Sequence, residues 1–253
     1  MATEFNLPTT LSKTSMRPSK RKQDQLREIT IETNVNKYAE GSCIVQFGNS
    51  KVLCTASVEE KIPPFLRGKK QGWLTAEYSM LPRATHERSG RDVYRNSANG
   101  RTLEIQRLIG RSLRAIIDLN KLGERQIIID CDVLQADGGT RCASIVGGFV
   151  ALQLAINKLL KNRIIHQSPI ISSLCAVSCG IYKGIAVVDL DYDEDSNCDT
   201  DINFVIAEDG KIIEVQGTAE KEAFSFEQLR EMYDLAENAA KEISRLQREA
   251  LAK

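Results

Sequence analysis

Gly138, Gly139, Thr140 and Arg141 stand where an apolar run ends and a long helical pattern begins. The first turn of a helix leaves its amide N–H groups without intrahelical acceptors and carries the positive end of the helix dipole. A guanidinium placed there can fork onto the oxygens of a phosphate, and neighbouring glycines let a ligand approach the backbone. Together these residue types describe an anion site. Thr140 is the expected N-cap. The same residues also describe a plain capped helix with a solvated arginine, so the pattern needs matching parts elsewhere in the chain.

A second constellation lies downstream, in Asp189-Leu-Asp-Tyr-Asp-Glu-Asp195-Ser-Asn-Cys-Asp-Thr-Asp201. Its opening imitates a calcium loop. Glu194 stands where that loop needs Gly and Thr200 where it needs Glu, which excludes an EF-hand. Asp189 and Asp191 are expected on one face of a strand and, with Asp193, in solvent. Asp195 and Asp201 differ in context. The first lies in the turn, and the second opens a strand whose alternate residues, Ile202, Phe204 and Ile206, face a core. A return this short can bring two carboxylates together, and such a pair repels unless a hard cation sits between them. Mg²⁺ suits one or two carboxylates plus phosphate oxygens; the alternative is a solvated pair.

The elements that must carry these groups follow from periodicity. Ile127 to Leu134 is an apolar run of strand length. From Thr140 onward, Ile145, Phe149, Leu152, Ile156 and Leu159 recur at helical spacing and Val146, Val150 and Leu154 widen their face, which predicts a largely buried helix. Upstream, Arg27–Val35, Ser42–Phe47, Lys51–Val58 and Trp73–Leu81 read as strands, the middle two joined by a hairpin at Gly48-Asn49-Ser50. Thr102–Asp118 reads as a helix whose Arg107, Arg111 and Arg114 form a basic stripe, a solvated face partly paired with Glu104 in preference to a direct RNA contact. Downstream, Ile170–Tyr182, Ile185–Tyr192, Asp201–Ala207 and Ile212–Gly217 read as strands. Ser225 and Gln228 form a capping box, and Phe224 and Leu229 a hydrophobic staple, for a final helix lined by Met232, Ala236, Ala239, Ile243, Leu246 and Ala250. No linker divides the chain, so a single domain is expected.

With 42% hydrophobic and 27% charged residues among 253, the composition is that of a soluble globular protein. No apolar run reads as a membrane span and no signal pattern opens the chain, so a cytoplasmic protein with no membrane partner is expected. Residues 1–15 read as a flexible extension, and the cluster from Arg17 to Lys22 as a solvated tail, with contact to RNA as the alternative. Seven cysteines with no C-x-x-C spacing predict reduced thiols, neither a disulfide frame nor a zinc site. With His86 and His166 the only histidines, a His-based triad is disfavoured, and His166 reads as structural. The formal net charge is +0, so any polyanion binding must come from uneven charge. Pro82–Gly100 supplies it: the segment is poor in apolar residues and carries Arg83, Arg88, Arg91 and Arg95 before Arg101. A loop of that length is functional or disordered.

Long stretches of the chain carry a resemblance to one family. RPSKRKQDQLREITIE, YAEGSCIVQFGN, KVLCTASVEEKIPPFLRG, GWLTAEYSMLPRAT, GRTLEIQRLIGRSLRA, LGERQIIIDCDVLQADGGTR and the DLDYDEDS…DIN turn resemble bacterial ribonuclease PH, from about Met16 to Leu251. The resemblance implies an α/β (α+β) fold of βαβ units, with mixed sheets packed on helices. It implies a phosphorolytic 3′→5′ exoribonuclease that trims tRNA precursors and other RNA 3′ ends with inorganic phosphate and releases nucleoside diphosphates. It further implies a homohexamer, a trimer of dimers.

By the same resemblance the phosphate site falls on Arg101, Gly139, Thr140 and Arg141, and the catalytic and Mg²⁺ site on Asp195 and Asp201. Arg83, Arg88 and Arg91 match arginines of subunit contact and RNA grip. Cys142 stands where many relatives have Thr and Gly148 where Ala is common; neither removes a phosphate donor. The competing reading is a non-catalytic RNA-binding ring subunit, which would be expected to lack some of Arg101, Arg141, Asp195 and Asp201.

Overall fold

The computed structural model describes residues 17–91 and 100–253. The extension 1–15, and residues 92–99 of the arginine-rich segment, lie outside the described residues. Element order is β1 (Ile29–Thr33), β2 (Gly41–Phe47), β3 (Ser50–Glu59), β4 (Trp73–Met80), α1 (Gly100–Arg114), α2 (Leu119–Leu122), β5 (Gln126–Gln135), α3 (Thr140–Lys161), β6 (Leu174–Tyr182), β7 (Ile185–Val188), α4 (Tyr192–Asp195), β8 (Thr200–Ala207), β9 (Ile212–Ala219) and α5 (Phe226–Leu251).

The first half forms a mixed five-stranded sheet in the order β1-β2-β3-β5-β4, and the second half a four-stranded sheet in the order β7-β6-β8-β9. β4 and β5 are parallel and are joined through α1 and α2, a βαβ unit; the other pairs are antiparallel. Residues of both halves share one continuous core, from Cys43 and Val45 through α3 to Phe204 and Ile243.

α3 lies at the centre, packed on β2, β3 and β5 and reaching β6. Its close approach needs small residues. A Cβ on Gly147 would fall 2.7 Å from Cys54 Sγ and Val45 Cγ1. Cys43, Cys54 and Cys131 are cross-strand neighbours beneath it, and Cys43 Sγ donates to the Gly147 carbonyl at 3.2 Å. All seven cysteines are buried and unbridged.

α3 is also long and apolar enough to cross a membrane, with a mean hydropathy of 1.6, contrary to the sequence expectation; 72% of that window is buried within the fold, so its apolarity serves the core. α5 packs on β6, β7 and β8 and touches β1. Its capping box at Ser225 and Gln228 forms as expected, and alanines at 236, 239 and 240 let it sit close to the strands.

Several boundaries differ from those read in sequence. α1 ends at Arg114, because Asp118 caps α2 by accepting from Asn120 N–H and Lys121 N–H. The expected strand 185–192 stops at Val188, where Asp189 turns to φ 55°. His166 is exposed and holds nothing in the core.

Candidate active site

Strand β5 delivers the chain to the start of α3 through two glycines with φ 72° and 66°. Such angles suit glycine and strain other residues. Position 138 is closed to side chains as well, since a Cβ there would lie 2.6 Å from the Leu190 carbonyl oxygen. The N-cap is Gly139 in the left-handed conformation, so Thr140 is not the cap but the first helical residue. A side-chain cap needs extended backbone, which this turn does not offer. Thr140 Oγ1 instead lies 2.9 Å from the Tyr78 hydroxyl, tying the helix start to β4. Arg141 Nη1 donates to Gln216 Oε1 at 2.9 Å and lies 3.6 Å from Glu104 Oε1. That aims the guanidinium from α3 across toward α1 and β9.

The acidic turn arrives from the second sheet. Asp191 caps α4 in a capping box with Glu194, and this single turn presents Asp195. Asp201 is the second residue of β8, ahead of the buried Ile202, Phe204 and Ile206. One cleft of about 800 Å³ is lined by Arg101, Gly139, Thr140, Arg141, Asp195 and Asp201 together. All six residues read as phosphate or metal site thus meet in one place, from four separate elements.

Their charges act on one another. Burial, then the Asp195 charge, push the Asp201 carboxyl up to about 6, against Arg141 and Arg101. Burial also raises Asp195, opposed by Arg101 and Arg141. Asn203, 6% exposed, joins Cys142 Sγ at 3.2 Å to Asp201 Oδ1 at 3.5 Å. The thiol thus donates to an amide that in turn donates to Asp201. Two carboxylates in one cleft, both raised by burial and one raised further by the other, are the donor set a hard cation fits. Among the described residues no cluster of three or more metal-ligating side chains occurs.

The stretch read as a solvated tail is instead part of the site's foundation. Arg17 and Arg21 are 3% and 9% exposed. Arg17 forks onto Glu194 at 2.6 and 2.7 Å, and Arg21 reaches Asp189, Asp191 and Glu194. Arg27 grips Asp189 at 3.0 and 2.7 Å and donates to the Asp137 carbonyl. Asp189, expected in solvent, is 3% exposed. This buried pair ties the glycine turn to the acidic turn.

Burial alone would raise Asp189, but the Arg27 charge and its hydrogen bonds, with Arg21 behind, hold the carboxyl below its usual range. A depressed carboxylate stabilises the fold above its unfolded value, about 3.9, and that contribution is lost as pH falls through the lower folded value. Asp189→Asn should therefore lower Tm at pH 7. Leaving a buried cation unpaired costs about 3–5 kcal/mol, or roughly 10 °C for a chain of this size. The deficit should shrink toward pH 3 in calorimetric scans across pH. A variant as heat-stable as the parent at pH 7 would contradict this role.

Arg83, Arg88 and Arg91 are exposed. Thr85, on the same segment, lines the cleft, while the three arginines are not among its lining. The helical stripe is less solvated than expected: Arg111 pairs with Glu214, and Arg114 donates to the Leu74 carbonyl at 3.0 Å and stacks on Trp73.

Comparison with known proteins matches two family models, the 3′ exoribonuclease family domain 1 over residues 25–156 and domain 2 over residues 172–239. A ribonuclease PH of Methylobacterium sp. (strain 4-46) is 58% identical over 236 residues, 93% of this chain and 100% of the relative. One of Caulobacter vibrioides (strain NA1000 / CB15N) is 55% identical over 93% of this chain and 99% of its own. Among solved structures, rice Rrp46 superposes with a TM-score of 0.76 at 18% identity, covering 93% of this chain and 100% of that one. An Archaeoglobus fulgidus exosome structure with RNA bound to the active site gives 0.75 at 21% identity, covering 90% of this chain and 91% of that one. At those identities the structural likeness concerns the fold.

Proposed function

Because the chain belongs to the 3′ exoribonuclease family, with bacterial ribonucleases PH matching it over their full length, we propose that it trims the 3′ ends of tRNA precursors by phosphorolysis. The reaction is reversible. An oxygen of inorganic phosphate attacks the phosphorus of the last phosphodiester, and the bond from that phosphorus to the 3′-oxygen breaks. The nucleoside leaves as its 5′-diphosphate, and the shortened RNA keeps a 3′-hydroxyl. The carrying observation is that an Arg/Thr anion pocket and a carboxylate pair share one cleft.

Two anions must approach each other in this reaction, so its catalysis is positioning and charge stabilisation. We assign Arg101, Arg141, the Thr140 hydroxyl and the amides of the first turn of α3 to the attacking phosphate. Asp195 and Asp201 would hold Mg²⁺, which when bound offsets charge at the scissile phosphate. Asp201 is assigned as the group that passes a proton to the leaving 3′-oxygen. A non-catalytic ring subunit is the weaker reading, since Arg101, Arg141, Asp195 and Asp201 are all kept. Trimming of a 3′-extended tRNA with and without phosphate tests the proposal: trimming should require phosphate, and equal trimming in its absence would refute it.

We propose further that the protein acts on RNA as a closed ring, a homohexamer built as a trimer of dimers, working in the cytoplasm. Grouped basic loops around a closed ring would grip single-stranded RNA better than one loop alone. Substituting Arg83, Arg88 and Arg91 together by Ala should lower both the particle mass seen by light scattering and the affinity for tRNA. A fully active monomer would rule the ring out as the working form.

A further inference from the structure

Single-stranded RNA entering the cleft brings a base with every phosphate. An enzyme that removes successive nucleotides must hold those bases without reading them, and an aromatic ring does so because every base has a π-face. Tyr192 is the only aromatic side chain among the described residues lining the cleft. It is the first residue of α4, whose last residue is Asp195, and positions spaced this way project from one side of a helical turn. The residue is 49% exposed. The His86 ring stands behind it, with centroids 5.7 Å apart and planes tilted by 59°. Arg83 donates to that histidine's carbonyl at 3.0 Å, so the His86 ring is carried on the same segment as the exposed arginines. Tyr192 N–H donates to Asp137 Oδ1 at 3.3 Å, and Asp137 directly precedes the glycine turn. The ring is therefore carried on backbone fixed relative to the phosphate pocket.

We infer that Tyr192, backed by His86, is the stacking platform for a base at the 3′ end of the bound RNA. The inference rests on the RNA-trimming reading above. The exposed arginines supply sequence-independent contacts to phosphates, and the ring supplies a sequence-independent contact to a base. Affinity for RNA ends should then depend on the ring, while affinity for inorganic phosphate should not.

The test measures dissociation constants without phosphate for a single-stranded RNA and for the same RNA with its last three residues abasic. Tyr192→Ala should weaken binding of the normal RNA about 5- to 100-fold, the span of one base–aromatic stack. On the abasic RNA the same substitution should change affinity less than twofold, because no base is left to stack. Tyr192→Phe should match the parent, and Tyr192→Leu, which keeps bulk without a π-face, should behave like the Ala variant. The phosphate KM of all three should stay within twofold of the parent. An Ala variant that binds normal RNA like the parent, or that loses as much on abasic RNA, overturns the inference. A parent protein that trims without phosphate would instead overturn the reading beneath it.

Discussion

Replacing Asp201 by Asn is expected to slow single-turnover trimming by about 100- to 10,000-fold, the range for loss of a general acid, and to raise the Mg²⁺ concentration needed for what remains. Asp195→Asn should share the metal defect. Asn keeps the size and one hydrogen-bond acceptor, so the fall would report charge and proton alone. Folding should move the other way. Burial and the Asp195 charge hold the Asp201 carboxyl up to about 6, above its unfolded range. A raised acid costs stability once pH exceeds its unfolded value, about 4, and the cost grows until pH passes the folded value. Asp201→Asn removes that cost, about 3 kcal/mol at pH 7, and should leave stability unchanged near pH 3. An inactive and more heat-stable variant is the expected signature. Asp189→Asn should show the reverse, a loss of stability with chemistry impaired less than in Asp201→Asn. If Asp189→Asn folds well but cannot trim, while Asp201→Asn is near normal, the metal has been assigned to the wrong part of the turn.

Arg141→Ala should raise the phosphate KM by roughly 10- to 150-fold, because a charge-assisted hydrogen bond contributes about 1.5–3 kcal/mol. Arg101→Ala should do the same. RNA binding measured without phosphate should change less, since Arg83, Arg88 and Arg91 are untouched. Arg141→Lys is informative beside it. The charge stays but the planar fork onto phosphate is lost, so a partial defect is expected. Phosphate dependence unchanged in both Ala variants would contradict the assignment of the anion pocket.

Much of this arrangement was legible in the chain, for local reasons. The apolar face of α3, the hairpin between β2 and β3 and the Ser225 capping box each depend on residues a few positions apart, and each formed. The Gly-Gly-Thr-Arg turn was legible because glycine pairs at a helix start have few other uses, although the cap itself passed to Gly139. The foundation beneath the site was not. Arg27 meets Asp189 across 162 positions and Arg17 meets Glu194 across 177. No periodicity announces a pair so distant, and a run of Arg and Lys near a terminus looks like a tail. Its spacing carried one signal in hindsight: Arg17, Arg21 and Arg27 are the cations that five closely spaced acidic residues, Asp189 to Asp195, would need if buried. The Tyr192 ring was hidden for a similar reason, since only the fold brings it to the cleft with His86.

The central claim is that inorganic phosphate is the nucleophile. The most direct measurement supplies ³²P-labelled phosphate with Mg²⁺ and a 3′-extended tRNA, then separates the released nucleotides. Phosphorolysis predicts nucleoside 5′-diphosphates carrying the label in the β-phosphate, in amounts equal to the residues removed. Unlabelled nucleoside 5′-monophosphates would show that water is the nucleophile and would contradict the account.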